Sequence, residues 1–123
     1  MHEYSIVQSL VDGVAAAVGE RSGVVHRVDV AIGELAGVDC GLLATAYEVF
    51  RAGTLCERAA LCIERVPARW ECPRCGASIA RGALLRCAAC NEPARLAAGD
   101  EILLQRIEFE LSARPPTPKP EVA

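Results

Sequence analysis

The 123-residue chain is long enough for one compact domain, or for a small core with an appendage stabilised by a metal. Hydrophobic residues make up 52% of it, but charges or glycines interrupt the apolar runs, so we expect no membrane-spanning segment. The net charge of −3 argues against a nucleic-acid-binding protein, and the first residues show no secretory leader. We therefore expect a folded, cytoplasmic protein.

Two helices are predicted from apolar residues that recur at three- and four-residue spacing. The first covers residues 5–18, and Ser5 with Gln8 fits a capping box at its start. The second covers residues 40–52, with Asp39 as its N-cap. Each helix would present one apolar face for burial in a core.

Three strands are predicted, at residues 24–32, 59–66 and 101–111. Alternation with a period of two predicts one buried and one exposed face for the first and third strands. The predicted buried faces consist of Val28, Val30 and Ile32 in the first strand and Leu103, Ile107, Phe109 and Leu111 in the third. The predicted exposed face of the first strand consists of Arg27, Asp29 and Ala31. The order of elements indicates an α+β fold, a three-stranded mixed sheet with two helices.

Four of the seven cysteines form two C-x-x-C pairs, Cys72 with Cys75 and Cys87 with Cys90. Two residues between paired cysteines allow a tight turn that brings both thiolates to one ion, and the second pair completes a tetrahedron. The spacing predicts an inserted, zinc-ribbon-like domain with four cysteine ligands, whose Zn²⁺ is structural because four thiolates leave no open coordination position. The other cysteines are predicted to be buried packing residues: Cys40, Cys56 and Cys62.

Other uses of two C-x-x-C pairs are a redox dithiol, an iron–sulfur cluster and a zinc ribbon that binds nucleic acid. Two pairs in tandem disfavour the redox interpretation. The segment between residues 69 and 95 contains five arginines and two glutamates, and zinc bound by four thiolates adds negative charge. This weak positive charge disfavours binding to a phosphate backbone. An adaptor that binds nucleic acid or protein through its zinc ribbon remains the alternative function.

The chain is predicted to comprise two domains and a tail. The α+β domain would contain residues 1–67 and 100–112, and the zinc domain would be inserted between them as residues 68–99. Residues 113–123 contain four prolines and little to bury, which predicts a disordered tail.

The first three residues, Met1, His2 and Glu3, form a candidate second metal site. A histidine at position 2 disfavours removal of the methionine, which leaves a free α-amine beside an imidazole. The Met1 amine, the backbone nitrogens of His2 and Glu3 and the His2 imidazole can surround one divalent ion in a plane, which suits Ni²⁺ or Cu²⁺. The Glu3 carboxylate would offset repulsion by the helix dipole or act as a weak extra ligand.

Three parts of the sequence resemble the HypA/HybF nickel-incorporation proteins of hydrogenase maturation. They are the start MHEYSI, the segment IGELAGVD at residues 32–39, and the two C-x-x-C pairs. The resemblance covers residues 1 to about 111 and implies a nickel-binding α+β domain with a zinc domain inserted in it. It assigns nickel, the cargo, to Met1, His2 and Glu3, and structural zinc to Cys72, Cys75, Cys87 and Cys90.

The resemblance also implies a function and partners. The family carries Ni²⁺ to the large-subunit precursor of [NiFe]-hydrogenase together with a nickel-inserting GTPase, and some members also serve urease. We therefore expect a metallochaperone, present as a monomer or weak homodimer, with neither nucleic acid nor membrane as a partner. No cluster of acid, base and nucleophile is evident in the sequence, so we do not expect an enzyme.

Overall fold

The computed structural model describes residues 2–80 and 84–112, and for His2 its backbone alone. The tail predicted at residues 113–123 lies outside the described residues. The described elements are, in chain order, α1 (His2–Val18), β1 (Gly23–Gly33), α2 (Cys40–Phe50), β2 (Ala60–Val66), β3 (Arg69–Glu71), β4 (Ser78–Ile79), β5 (Arg95–Ala98) and β6 (Ile102–Leu111). None of the helices in this part of the chain is long and apolar enough to cross a membrane.

The chain divides into two compact units. The first unit contains the described residues of 1–30, 39–63 and 104–112, and the second contains residues 31–38 and 64–103. The predicted domain boundaries, with the zinc domain at residues 68–99, remain a prediction. The second unit contains both the cysteine pairs and the loop that follows β1.

Helix α1 begins at His2, so the capping box predicted at Ser5 and Gln8 is wrong. The predicted apolar stripe is confirmed, because five of its residues are buried: Val7, Leu10, Val11, Val14 and Val18. Gly19 ends the helix in the left-handed conformation, with φ of 64°. Arg21 donates hydrogen bonds to the carbonyls of Val18 and Ala17 and so caps the last turn.

Helix α2 begins after Asp39, whose carboxylate accepts a hydrogen bond from the Leu42 N–H with an N···O distance of 3.1 Å. The predicted N-cap is therefore confirmed. The two helices pack together in the first unit, where the rings of Tyr4 and Phe50 meet edge to face with centroids 6.3 Å apart.

A buried hydrogen-bond network holds the connection between α2 and β2. The Tyr47 hydroxyl donates to the Ala59 carbonyl at 2.8 Å, and the Arg51 guanidinium donates to the same oxygen at 2.8 Å. The Arg51 guanidinium also lies 5.6 Å from the centroid of the Tyr47 ring. Burial raises the pKa of Tyr47, which keeps the hydroxyl protonated as a donor.

The main sheet has the strand order β2-β1-β6 and is mixed. Two hydrogen bonds in the second unit establish the directions. The Glu34 N–H donates to the Val66 carbonyl where β1 and β2 both end, so these strands are parallel. The Gly33 N–H donates to the Glu101 carbonyl where β1 ends and β6 begins, so these strands are antiparallel. The predicted α+β fold with a three-stranded mixed sheet is confirmed.

The predicted faces of β1 and β6 are only partly correct. Val28, Val30 and Ile32 are buried as predicted, but Ala31, expected on the exposed face, is buried as well. In β6, Ile107 and Phe109 are half-buried and line a small cavity beside the last turn of α1. The other two residues predicted on that face, Leu103 and Leu111, are exposed.

Candidate metal centres

The four cysteines of the two C-x-x-C pairs come together in the second unit. Their sulfur atoms all lie within 4.8 Å of one another. Cys72 and Cys87, the first cysteine of each pair, are buried, whereas Cys75 is exposed and Cys90 is half-buried. No other group of three or more potential metal ligands of this kind occurs among the described residues.

The first pair forms a tight turn around its buried sulfur. The Cys72 sulfur accepts hydrogen bonds from the N–H groups of Arg74 and Cys75 at 3.3 and 3.5 Å. The Cys72 carbonyl accepts from the Gly76 N–H, and the Cys72 N–H donates to the Ala77 carbonyl. Gly76 has φ of 78°, a conformation that glycine adopts without strain.

The second pair repeats three of these four hydrogen bonds. The Cys90 N–H donates to the Cys87 sulfur at 3.4 Å, the Asn91 N–H donates to the Cys87 carbonyl, and the Cys87 N–H donates to the Glu92 carbonyl. Asn91 has φ of 57° and is the one non-glycine residue of the described chain with positive φ. Asn91 was not predicted as a special position. Its signal was the position equivalent to Gly76, occupied by the non-glycine residue that best tolerates this conformation.

Short strands carry the two turns. β3 pairs antiparallel with both β4 and β5, and Trp70 lies opposite Ile79 on one side and Leu96 on the other. A further bridge joins Arg86 to Pro93 across the second turn. Strands of two to four residues bury too little apolar surface to be stable without another constraint.

Two of the clustered thiols have pKa values shifted in opposite directions. Hydrogen bonds from the backbone N–H groups of Cys75 and Arg74 lower the pKa of Cys72 to about 7, although burial opposes the shift. Hydrogen bonding to Cys75, together with burial, raises the pKa of Cys90 to about 12. The Cys72 thiol is therefore the more acidic of the two and the Cys90 thiol the less acidic. Four sulfur ligands around one point suit Zn²⁺, which would close the module and leave no position for a substrate.

Of the other three cysteines, all predicted to be buried, only one is buried. Cys56 is buried, and burial raises the pKa of its thiol. Cys40 and Cys62 are partly exposed, so the prediction that they are buried is wrong. None of the three belongs to the four-cysteine cluster.

At the N-terminus, the structure brings Glu3 to the start of α2. The Asp39 N–H donates to the Glu3 carboxylate with an N···O distance of 3.2 Å. The pKa of Glu3 is lowered by hydrogen bonds from its own backbone N–H and from that of Asp39. Met1 and the side chain of His2 lie outside the described residues. The sequence analysis missed the contact between Glu3 and Asp39, because 36 residues separate them and no local pattern indicates it.

The loop after β1 packs against the strands of the second unit. The Glu34 carboxylate accepts from the Ala68 N–H at 2.8 Å, and the Leu35 N–H donates to the Gly99 carbonyl at 2.7 Å. Gly33 approaches Gly99 so closely that a Cβ on Gly33 would overlap the Gly99 carbonyl group. Glycine at these two positions therefore allows the two backbone segments to meet.

Several known proteins have similar sequences and a similar fold. The model of the family described as hydrogenase/urease nickel incorporation, metallochaperone, HypA matches residues 1–109. The chain is 39% identical over 112 residues to the hydrogenase maturation factor HypA of Nitrosospira multiformis, covering 89% of this chain and 97% of the relative. It is 35% identical to the HypA of Shewanella oneidensis over 113 residues, with 89% and 96% covered.

Two solved structures of HypA proteins have a similar fold. One is described as the solution structure of the Ni metallochaperone HypA from Helicobacter pylori, with 31% identity, a TM-score of 0.62, and 87% of this chain and 96% of that chain covered. The other is a solution structure of a HypA protein with 30% identity, a TM-score of 0.73, and 89% and 97% covered. The chain therefore belongs to the HypA family of hydrogenase and urease nickel-incorporation metallochaperones, and its role is that of a maturation factor and not of an enzyme.

Proposed function

We propose that this chain binds Ni²⁺ at its N-terminus and delivers it to the precursor of [NiFe]-hydrogenase. The ligands would be the Met1 amine, the backbone nitrogens of His2 and Glu3, and the His2 imidazole. This set is planar and consists of nitrogen alone, which suits Ni²⁺. The proposal extends the family's role in nickel incorporation to particular atoms of this chain.

The start of α1 at His2 is the observation that carries the proposal. The first N–H groups of a helix have no acceptor within the helix. The backbone nitrogens of His2 and Glu3 can therefore lose their protons to a metal without breaking a hydrogen bond of the helical backbone, although the Glu3 N–H would give up its hydrogen bond to its own carboxylate. The positive end of the helix dipole eases this deprotonation, although it also repels the cation.

The Glu3 carboxylate has a different part in this proposal. One of its oxygens already accepts from the Asp39 N–H, which ties the first turn of α1 to the start of α2. Its negative charge also offsets the repulsion between the helix dipole and Ni²⁺. We infer that Glu3 binds nickel through its backbone nitrogen and that its carboxylate positions the first turn.

Zinc would be the resident metal, held by Cys72, Cys75, Cys87 and Cys90. The buried sulfurs of Cys72 and Cys87 and the hydrogen bonds to them support a permanent structural site. The role of zinc would be to keep the small strands β3, β4 and β5 folded. A stable module of this kind can present a constant surface to a partner protein.

The proposed partners are a nickel-inserting GTPase and the hydrogenase large-subunit precursor. The chain would meet both in the cytoplasm, as a monomer or weak homodimer. Nucleic acid is not a proposed partner, because arginines near the cysteine cluster already have acceptors in the protein. Arg95 pairs with Glu71 at 2.6 Å, and Arg86 donates to the Asn91 carbonyl at 2.8 Å. A membrane is not a proposed partner either.

A nickel titration of the untagged, zinc-loaded chain tests the proposal. The two histidines of the chain supply a matched pair of variants, His2→Ala and His26→Ala. His26 is half-exposed on β1 and pairs with Glu110 at 2.7 Å, so its removal leaves the N-terminus intact. We expect one equivalent of nickel and a square-planar absorbance spectrum for the wild-type chain and for His26→Ala, and loss of both for His2→Ala.

The opposite pattern would overturn the proposal. If His2→Ala binds nickel as the wild-type chain does, the ligands lie elsewhere. If neither the wild-type chain nor its variants bind nickel, the adaptor function is favoured instead. Binding of nucleic acid or protein by the zinc module then becomes the next measurement.

A further inference from the structure

The two positions of each C-x-x-C pair differ in exposure. The first cysteines of the pairs, Cys72 and Cys87, are 0% and 4% exposed. The second cysteines are more open, because Cys90 is half-buried and Cys75 is exposed. Cys75 is thus the one exposed member of the four. A dissolved oxidant therefore reaches the Cys75 sulfur more easily than the other three sulfurs.

Backbone hydrogen bonds divide the four sulfurs in the same way. Two N–H groups donate to the Cys72 sulfur, and one donates to the Cys87 sulfur. Among the described residues, no backbone N–H group donates to the sulfur of Cys75 or of Cys90. A hydrogen bond from an N–H group stabilises a thiolate and so lowers its nucleophilicity. The Cys75 sulfur therefore combines access with a nucleophilicity that no such bond reduces.

A disulfide from Cys75 can form within its own pair or with the second pair. A bond to Cys72 would pull a buried sulfur away from two backbone N–H donors, which would lose their acceptor. The Cys87 sulfur lies 3.8 Å from the Cys75 sulfur and accepts one such bond, while the Cys90 sulfur lies within 4.8 Å and accepts none. The second pair is therefore the favoured partner.

We propose that Cys75 is the site at which a peroxide oxidises the zinc cluster, and that the second cysteine pair captures the oxidised sulfur in a disulfide that expels zinc. The modification changes the zinc module and does not turn over a substrate. The inference rests on zinc as the proposed resident metal, and it is independent of the proposed nickel site.

The oxidation takes two steps with hydrogen peroxide as the oxidant. In the first step, the Cys75 thiolate attacks one peroxide oxygen, so that an S–O bond forms, the O–O bond breaks and hydroxide leaves. In the second step, a thiolate of the second pair attacks the Cys75 sulfur, so that an S–S bond forms, the S–O bond breaks and a second hydroxide leaves. Two thiolates lose two electrons in total, and these electrons reduce the peroxide.

The disulfide changes the fold of the zinc module. It removes two of the four ligand sulfurs, and a structural zinc site needs all four. Strands β3, β4 and β5 are too short to stay folded without the metal. A dithiol reductant restores the four thiolates, so zinc can bind again. The module should therefore open under peroxide and close again after reduction.

The position of Arg74 allows the disulfide to be identified by mass. Trypsin cleaves after arginine, so it separates the two cysteines of the first pair into peptides 70–74 and 75–81. Both cysteines of the second pair stay in peptide 87–95. A disulfide within the first pair would join 70–74 to 75–81, and one within the second pair would close a ring in 87–95. The proposed disulfide joins 75–81 to 87–95.

Peroxide treatment of the full, zinc-loaded chain tests the proposal. Zinc release is followed with a coloured chelator, and samples taken over time are treated with dimedone, which traps sulfenic acids, and then alkylated and digested. We expect dimedone on Cys75 at least about tenfold faster than on Cys72, since access governs the reaction. The disulfide between 75–81 and 87–95 should then appear together with free zinc. Mapping the wild-type chain requires no variant that could lose zinc by itself.

The matched control is the double variant Cys40→Ser with Cys62→Ser, which removes the two partly exposed cysteines outside the cluster. It should release zinc at the wild-type rate. Slower release in this variant, a first modification on another cysteine of the cluster, or a first disulfide without Cys75 would overturn the proposal. A disulfide between 70–74 and 75–81, or zinc retained while Cys62 is oxidised, would do the same. A chain without zinc before treatment would contradict the zinc site itself, and this inference with it.

Discussion

The four-cysteine cluster and the proposed nickel site at the N-terminus differ in what would hold the metal. In the cluster, all the ligands are side chains, and backbone N–H groups fix the buried sulfurs of Cys72 and Cys87 in two similar turns. At the N-terminus, most of the proposed ligands are main-chain nitrogens at the start of α1. A metal enclosed by four thiolates stays with the protein, whereas a metal bound at a chain end can pass to an acceptor. Zinc in the cluster would therefore maintain the fold, whereas nickel at the N-terminus would be carried.

Loss of zinc should have the largest effect. Cys72→Ser, or removal of zinc by a chelator, should unfold β3, β4 and β5, because metal binding contributes on the order of 10 kcal/mol to the folding of such small modules. The measurement is amide chemical-shift dispersion for residues of these strands, with zinc content determined in parallel. Cys62→Ser, outside the cluster, is the control and should retain zinc. Strands that stay folded without zinc would contradict a structural role for the metal.

Gly76→Val should have the next largest effect, because Gly76 has φ of 78° and a β-branched residue is strained there. We expect the free energy of unfolding of the zinc module to fall by about 1–2 kcal/mol. Chelator competition should also show faster loss of zinc. Asn91→Gly is the matched change in the second turn, and it should be nearly neutral since glycine adopts positive φ freely. Equal destabilisation by both variants would show that backbone conformation is not the cause.

Asp39→Ala separates stability from nickel binding. It removes the carboxylate that caps α2 and should cost about 1 kcal/mol in the free energy of unfolding. The Asp39 N–H that holds Glu3 is part of the backbone and remains, so nickel affinity should not change. Chemical denaturation and nickel calorimetry measure the two effects, with Asp39→Asn as the variant that keeps the cap. A large loss of nickel affinity in Asp39→Ala would make its carboxylate part of the nickel site.

Glu3→Gln should have the smallest effect. The amide oxygen can still accept from the Asp39 N–H, but the negative charge is lost. We expect nickel affinity to fall by about two- to fivefold, the size expected for one charge at an exposed helix N-terminus. Calorimetry measures the change, and Glu3→Ala, which also removes the hydrogen bond, should lower affinity further. Complete loss of binding in Glu3→Gln would make the carboxylate a ligand.

Patterns that depend on neighbouring residues predicted much of this fold. The apolar stripe of α1, the Asp39 cap and the C-x-x-C spacing are local, and each indicated the correct element or cluster. The positive φ of Asn91 could also have been predicted, because Asn91 follows the second cysteine pair as Gly76 follows the first.

Features that depend on distant residues could not be predicted in this way. The predicted start of α1 was three residues late. Ser5 and Gln8 fit a local capping pattern, whereas the contact between Glu3 and Asp39 joins residues that are distant in the sequence. The alternation in β1 suggested an exposed Ala31, yet this residue is buried in the second unit. Alternation gives the side of a strand on which a residue lies, whereas burial depends on what packs against that side.

The shared carbonyl of Ala59 has a consequence for proteolysis. A protease must draw several residues of a substrate into an extended conformation before it can cut. The connection at residues 51–59 contains no strand and would be an obvious target, but the Tyr47 hydroxyl and the Arg51 guanidinium both donate to the Ala59 oxygen. Extension of this segment would break both bonds and expose Cys56. The native chain should therefore resist cleavage here, and Tyr47→Phe should make the segment a preferred site of nicking.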